Sequence, residues 1–216
     1  MIKDLIKKNR SVRGYDASRE VTNEELREMV DCARLTASSV NMQPLKYVTV
    51  NTSEGRSKII GQISFAAKLS ELHLPFSGTE PMAYIVICQD ENISKSEAVY
   101  LTDAGIAAQS ITLAAVEMGL GACILGYFSS KEMANALKLT ENLRPLLIIA
   151  LGKSIEDIRI VEIEEGESTD YYRDENGVHY VPKRKLDDVI VEWEQTLVSV
   201  FLQQVYLIER LKMLSL

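Results

Sequence analysis

The chain is short of the side chains that most often carry catalysis on their own. Its 216 residues include two histidines, three cysteines, one tryptophan and five prolines. His73 and His179 are far apart in sequence, which argues against a His-rich metal site. Cys32, Cys88 and Cys123 form no CxxC and sit in apolar surroundings. They read as buried thiols of a reducing cytosol rather than a disulfide framework or a nucleophile. Two histidines leave few ways to build a Ser–His–Asp arrangement, and no carboxylate pair stands out for glycoside chemistry. Positive charge is also lacking: the formal net charge is −7, against nonspecific nucleic-acid binding. There is no charged-then-apolar leader, no G-x-G-x-x-G after a strand and no P-loop GKS or GKT. If such a chain is an enzyme, a cofactor does the hard step.

What is present is an ordinary globular composition, 46% hydrophobic and 25% charged, long enough for one good core or two small ones. Ile2, Leu5 and Ile6 predict a short helix that stops before Arg10. Thr22 and Glu25 form a capping box ahead of Leu26, Met29, Val30 and Ala33, a helix reaching about Thr36. Tyr47 to Val50 reads as a strand, and Ser53 as the cap of a helix carrying Ile59, Ile60 and Ile63. Leu72 to Pro81 reads as a loop, and Met82 to Cys88 as a strand buried on both faces. A long helix rich in small residues, about Ser96 to Met118, stops at Gly119 and Gly121. Ala122 to Leu125 is a short strand, Ser129 and Glu132 a second capping box, and Leu146 to Leu151 a buried strand. Glu156 to Asp170 is acidic and shows no clear period. Tyr171 to Val181 alternates around Asn176-Gly177, the strongest short hairpin signal. Leu197 to Leu216 is apolar, but its polar-free stretches fall far short of the ~20 residues a bilayer span needs, so no membrane is implied. Alternating helices and apolar strands give an α+β or α/β reading.

Four segments can carry chemistry. Arg10-Ser11-Val12-Arg13 offers two guanidinium forks and a hydroxyl to a phosphate; it is equally a basic helix end complementing the C-terminal dipole. Ser38-Ser39-Val40-Asn41-Met42-Gln43-Pro44 concentrates hydroxyls and amides. Asn41 and Gln43 can match the polar edges of a flavin ring, and Pro44 keeps Gln43 out of the α region; an ordinary turn has the same composition. Gly119 to Gly126 could let backbone N–H groups approach a planar ring, or be a helix stop and a strand. Lys183-Arg184-Lys185 could complete a phosphate cage, or be a solvated run.

In this order and spacing, the four segments, with Leu-Gly-Lys after a core strand, resemble the nitroreductase family of FMN-dependent oxidoreductases, from about Met1 to Trp193. The resemblance implies an α+β fold with a central, mostly antiparallel sheet surrounded by helices. It implies an intertwined homodimer with two FMN molecules at the interface, and a single domain over 1–216. Residues 195–216, with Val198, Phe201, Leu202, Val205, Tyr206 and Ile208, would be a C-terminal helical extension on the dimer partner. Arg10, Ser11 and Arg13 would hold the phosphate and ribityl tail. Ser38, Ser39, Asn41 and Gln43 would contact the ribityl chain and ring, and Leu125 and Gly126 would approach N5 from the other subunit. Lys183 and Arg184 would close the phosphate site, with Lys185 an alternative to Lys183. His73, Phe76 and Tyr127 are candidate pocket residues.

The implied activity is ping-pong transfer of hydride from NADH or NADPH through flavin N5 to a nitroaromatic, quinone or related small-molecule acceptor, in the cytoplasm. No catalytic side chain is required, because the flavin carries the chemistry. Alternatives are a flavin-binding protein that stores or senses FMN, or a specialised flavin-degrading or dehalogenating enzyme of the same family.

Overall fold

The computed structural model describes residues 1–193 and Tyr206. The expected partner contacts of Val198, Phe201, Leu202, Val205 and Ile208 lie outside the described residues. The chain divides into two compact units. One comprises Met1–Ile158 with Arg173–His179, the other Arg159–Tyr172 with the chain from Tyr180 onward.

The first unit is built on β2 (Ala83–Asp90), every residue of which is buried. The apolar run Met82 to Cys88 therefore is a strand covered on both faces, here within an antiparallel sheet. β1 (Leu45–Val50) and β4 (Leu143–Gly152) flank it, and β3 (Gly121–Leu125) pairs with β4, giving the order β1-β2-β4-β3. Ile85 of β2 faces Thr49 of β1 and Ile149 of β4, and all pairs are antiparallel.

Alternation across β2 and β4 divides the core. Ala83, Ile85, Ile87, Ile149 and Leu151 pack with residues of two helices, α2 (Asn23–Arg34) and α4 (Glu97–Glu117). Burying each such aliphatic side chain contributes ~1.5–3 kcal/mol. Tyr84, Val86, Ile148 and Ala150 point to the opposite face and are equally buried.

The helices form where local signals place them. Thr22 Oγ1 accepts from the Glu25 amide (3.1 Å), and the Glu25 carboxylate accepts from the Thr22 amide (2.9 Å). This capping box starts α2, which buries Leu26, Met29 and Ala33. α4 ends at Met118, where Gly119 takes φ +75°; only glycine adopts that conformation cheaply. The small residues Ala104, Ala107, Ala108, Ala114 and Ala115 line its inner face. Thr52, rather than Ser53, caps α3 (Ser53–Ile60) by accepting from the Gly55 amide. α1 (Ile2–Lys8) stops before Arg10 as expected. α5 (Ser130–Ala136) starts with Ser129 Oγ accepting from the Glu132 amide.

After α1 the chain runs extended along the sheet edge. Ser11 forms a parallel bridge with Ala122 and Tyr15 an antiparallel bridge with Ser154. Two glycines permit that approach. A Cβ on Gly121 would lie 2.6 Å from Val12 Cγ2, and one on Gly152 would lie 2.8 Å from Tyr15 Cδ1. Tyr15 is fully buried and donates from its hydroxyl to Val12 O (2.8 Å). The Arg10–Arg13 segment is thereby clamped beside β3.

The second unit carries most of a three-stranded sheet of order β5-β7-β6, from β5 (Ile158–Ile163), β6 (Tyr172–Arg173) and β7 (His179–Arg184). Within the acidic stretch that shows no clear period, β5 is a strand: Ile158, Val161 and Ile163 are its half-buried positions, and the surrounding glutamates hide the pattern. The Asn176-Gly177 turn is present. Asp174 Oδ1 accepts from the amides of Asn176 and Val178, and Gly177 takes φ +78°. Tyr172 and Tyr180 stack with ring centroids 5.0 Å apart.

Candidate functional site

The Arg10–Arg13 segment turns its two guanidinium groups to different fates. Arg13 is buried and points inward. Its backbone amide donates to Glu156 Oε2 (2.5 Å), and its Nη1 donates to Ser11 O (3.0 Å) and faces His179 Nε2 (3.1 Å). Arg173 donates to the other Glu156 oxygen. Arginine has only donors, so His179 Nε2 accepts and the imidazole is neutral, with its proton on Nδ1. Burial, then the charges of Arg13 and Arg173, push the His179 pKa down to about 4.

Arg10 is half-buried at the end of α1. Its Nη2 donates to Ile6 O (2.8 Å), and its Nε is buried without an acceptor. Among the described residues it has no carboxylate partner. Burial lowers its pKa from the ordinary arginine value. A desolvated guanidinium with an open donor fits an anion that the protein does not itself supply. Ser11 beside it is exposed, and Asn9 Nδ2 donates to Thr112 Oγ1 of α4 (2.7 Å).

The second cluster is the Ser38–Pro44 turn. Val40, Asn41 and Gln43 all take positive φ, at +47°, +55° and +51°. Pro44 does exclude Gln43 from the right-handed α region, but into the left-handed side rather than an extended conformation. Three such non-glycine residues in four positions are strained backbone, held only where the surroundings impose it. The restraint comes from Asp103, a buried carboxylate on α4 that the sequence reading did not single out. Ser38 Oγ donates to Asp103 Oδ2 (2.5 Å), and Ser39 donates to Oδ1 from both N (3.0 Å) and Oγ (3.1 Å). Ser38 Oγ also accepts from the Gln43 amide (2.8 Å). Gln43 Nε2 donates to Asn41 Oδ1 (3.1 Å).

The two clusters lie along one helix. Asp103 is nine residues before Thr112, or about 14 Å along α4. Leu125, the buried last residue of β3, and the exposed Gly126 follow the strand that runs beside Ser11. A Cβ at Gly126 would only touch Leu147 Cδ2 at 3.4 Å, so steric exclusion within the chain does not explain this glycine. In the second unit Lys183 and Arg184 are exposed at the end of β7, with no ion partner among the described residues. Lys185 instead pairs with Glu164 (2.5 Å). His73 is exposed, with φ +48°; Phe76 and Tyr127 are also exposed. Sequence reasoning missed Asp103 and Glu156 because a lone acid in an apolar helix, or in an acidic stretch, carries no local signature.

Comparison with known proteins points to one family. The profile of the Nitroreductase family matches residues 6–153. An oxygen-insensitive NADPH nitroreductase from Helicobacter pylori is 27% identical over 185 residues, covering 71% of this chain and 87% of its own. An FMN reductase [NAD(P)H] from Bacillus subtilis is 25% identical over 230 residues, covering 89% and 88%. Among solved structures, an FMN-dependent nitroreductase from Clostridium difficile is 28% identical, covers 72% of this chain and 88% of its own, and superposes with a TM-score of 0.58. With its antiparallel sheet wrapped by helices and a profile match over more than half its length, the chain belongs to the nitroreductase family.

Proposed function

We propose that this protein is an FMN-dependent NAD(P)H oxidoreductase that reduces a small-molecule acceptor such as a nitroaromatic or quinone by a ping-pong mechanism. The observation that carries the reading is Arg10: among the described residues, a desolvated guanidinium with a buried, unpartnered Nε and no carboxylate beside it. The donor set around the two clusters suits the cofactor. Arg10 and Ser11 would hold the phosphate end, and the exposed cations Lys183 and Arg184 have the chemistry to serve as further phosphate ligands. Of the two lysines that could accompany Arg184, Lys183 is favoured, because Glu164 already engages Lys185. Asn41 offers its Nδ2 hydrogens to ring carbonyls, Ser38, Ser39 and Gln43 shape the turn, and Gly126 leaves the backbone after Leu125 open to the ring. Arg13 supports the tail from within the core.

When bound, FMN supplies hydride acceptance from the nicotinamide and hydride release to the acceptor at N5. The chain binds, orients and shields it, and solvent provides protons. Preorganised donors aimed at the ring favour the reduced, more negatively charged cofactor.

Two copies are expected to pair. The outward face of α4 exposes Leu101 and Ile106 beside an open Gly105, an apolar stripe that a second chain would cover. Free cysteines throughout fit a reducing, cytoplasmic compartment.

Anaerobic stopped-flow mixing of the FMN-loaded protein with NADH and with NADPH tests the reading. Bleaching of the flavin's visible band within seconds, and its return on adding a quinone or nitroaromatic, is the expected result. A flavin that neither nicotinamide reduces means storage or sensing instead, and no flavin binding at all overturns both.

A further inference from the structure

The turn that would present Asn41 to the flavin is strained, and one buried carboxylate ties it to α4. Val40, Asn41 and Gln43 lie in the left-handed region, which non-glycine residues adopt only under restraint. Packing does not impose the conformation. Val40 is 87% exposed at the apex, and an open cleft of about 160 Å3 lies beside the turn, lined by Ala33, Thr36, Ser38, Pro44, Tyr47 and Asp103. Backbone bonds from Asn41 N to Ser38 O (2.9 Å) and from Met42 N to Ser39 O (3.0 Å) close the turn, and one carboxylate ties it to α4. Three donors, Ser38 Oγ, Ser39 N and Ser39 Oγ, converge on Asp103, which is 3% exposed on the rigid helix α4.

The bonds then pass outward. Because Ser38 donates its only proton to Asp103, its lone pairs are left to receive the Gln43 amide. Because Gln43 Nε2 donates to Asn41 Oδ1, the Asn41 carboxamide is turned with both Nδ2 hydrogens free of a partner among the described residues. A buried carboxylate with only hydroxyl and amide donors around it is otherwise an expense to the fold.

We propose that Asp103 is a positioning residue for the cofactor. It fixes the Ser38–Gln43 turn so that the Asn41 amide donors face the flavin, without touching the flavin itself. This rests on the FMN reading above. An Asn at position 103 keeps the shape and one acceptor but replaces the other acceptor with a donor facing the Ser38 hydroxyl, so the relay to Gln43 is broken at its root.

The test has two arms. In the ligand-free protein, amide hydrogen exchange at Ser39 and Gln43 is protected in the wild type despite the exposed loop, and Asp103→Asn accelerates it about tenfold or more, the equivalent of losing one charge-assisted hydrogen bond. In the second arm, titration with FMN followed by flavin fluorescence gives a dissociation constant at least about tenfold weaker for Asp103→Asn, and the visible band of the bound flavin shifts because its ring contacts change. Ile111→Val, a core truncation on the same helix, lowers the urea midpoint but leaves both readouts at wild-type values. Unprotected wild-type amides overturn the proposal without any variant. Wild-type exchange in Asp103→Asn, or accelerated exchange with unchanged FMN affinity and spectrum, overturns it too. If the wild type itself binds no FMN, the functional reading fails and the positioning role with it, while the exchange arm still reports whether Asp103 holds the turn.

Discussion

The Arg10–Arg13 segment and the Ser38–Pro44 turn are both polar stretches, and they are held in opposite ways. The first is over-determined. Backbone bridges to Ala122 and Ser154, the buried Tyr15, and the Arg13–Glu156–Arg173–His179 cluster all fix it. The second is closed by its own backbone bonds, is held at Pro44 O by the Asp90 amide, and is tied to α4 by one carboxylate. Buried carboxylates engage Arg13 N and Arg173 in one and Ser38 and Ser39 in the other, while Arg10 and Asn41 keep donors available to a ligand. Redundant support makes the first a matter of fold stability, and a single carboxylate tie to α4 makes the second a matter of site geometry.

The largest effect that would break this contrast is at Glu156. It accepts from both Arg13 N and Arg173 inside the core. Glu156→Ala leaves buried cations uncompensated and should cost ~3–5 kcal/mol of unfolding free energy in urea titration. A loss below ~1 kcal/mol would show the first region to be no better supported than the second.

Next is pH. His179 has a folded pKa of about 4 against an ordinary 6.5. Between those values the unfolded chain takes up a proton that the folded one refuses. Stability is therefore intact above about pH 6.5 and declines as pH falls toward about 4, by on the order of 3 kcal/mol. His179→Gln should flatten the urea midpoint across that window, whatever it does to the midpoint at neutral pH.

Smaller again is the division of labour between the two arginines. Arg10→Ala should weaken FMN binding by ~1–3 kcal/mol with the urea midpoint nearly unchanged. Arg13→Ala should lower the midpoint before it affects anything else. Equal stability loss in both variants would erase the distinction between the inward and outward guanidinium groups.

The smallest effect expected is at Lys185. Its pair with Glu164 is largely solvated, and such surface pairs contribute ~0–1 kcal/mol. Lys185→Gln should leave FMN affinity within error, whereas Lys183→Gln should weaken it. The reverse result would exchange the two lysines at the phosphate.

Much of the fold was legible wherever the signal was local. The Thr22–Glu25 capping box, the Gly119 stop and the Asn176-Gly177 turn each need only a few neighbouring residues, and each appears as read. The run Met82 to Cys88 reads as a doubly covered strand from its short length and continuous apolarity, and β2 is buried throughout. β5 was missed because its half-buried Ile158, Val161 and Ile163 do not strictly alternate and lie in an acidic stretch. Of the candidate site, the two polar segments could be picked out by residue type, but their inward and outward halves could not.

The sequence by itself determined that secondary structure, and through the order of its motifs the nitroreductase family, because capping, turn chemistry and apolar runs act over a few residues. Tertiary structure alone decided that Asp103 would meet Ser38 and Ser39 across 64 or 65 residues of chain, and that Arg13 would face His179 across 166. A buried charge is stable only beside partners that satisfy it, and which partners those are depends on how α4, β3 and β7 pack rather than on any residue's neighbours in sequence.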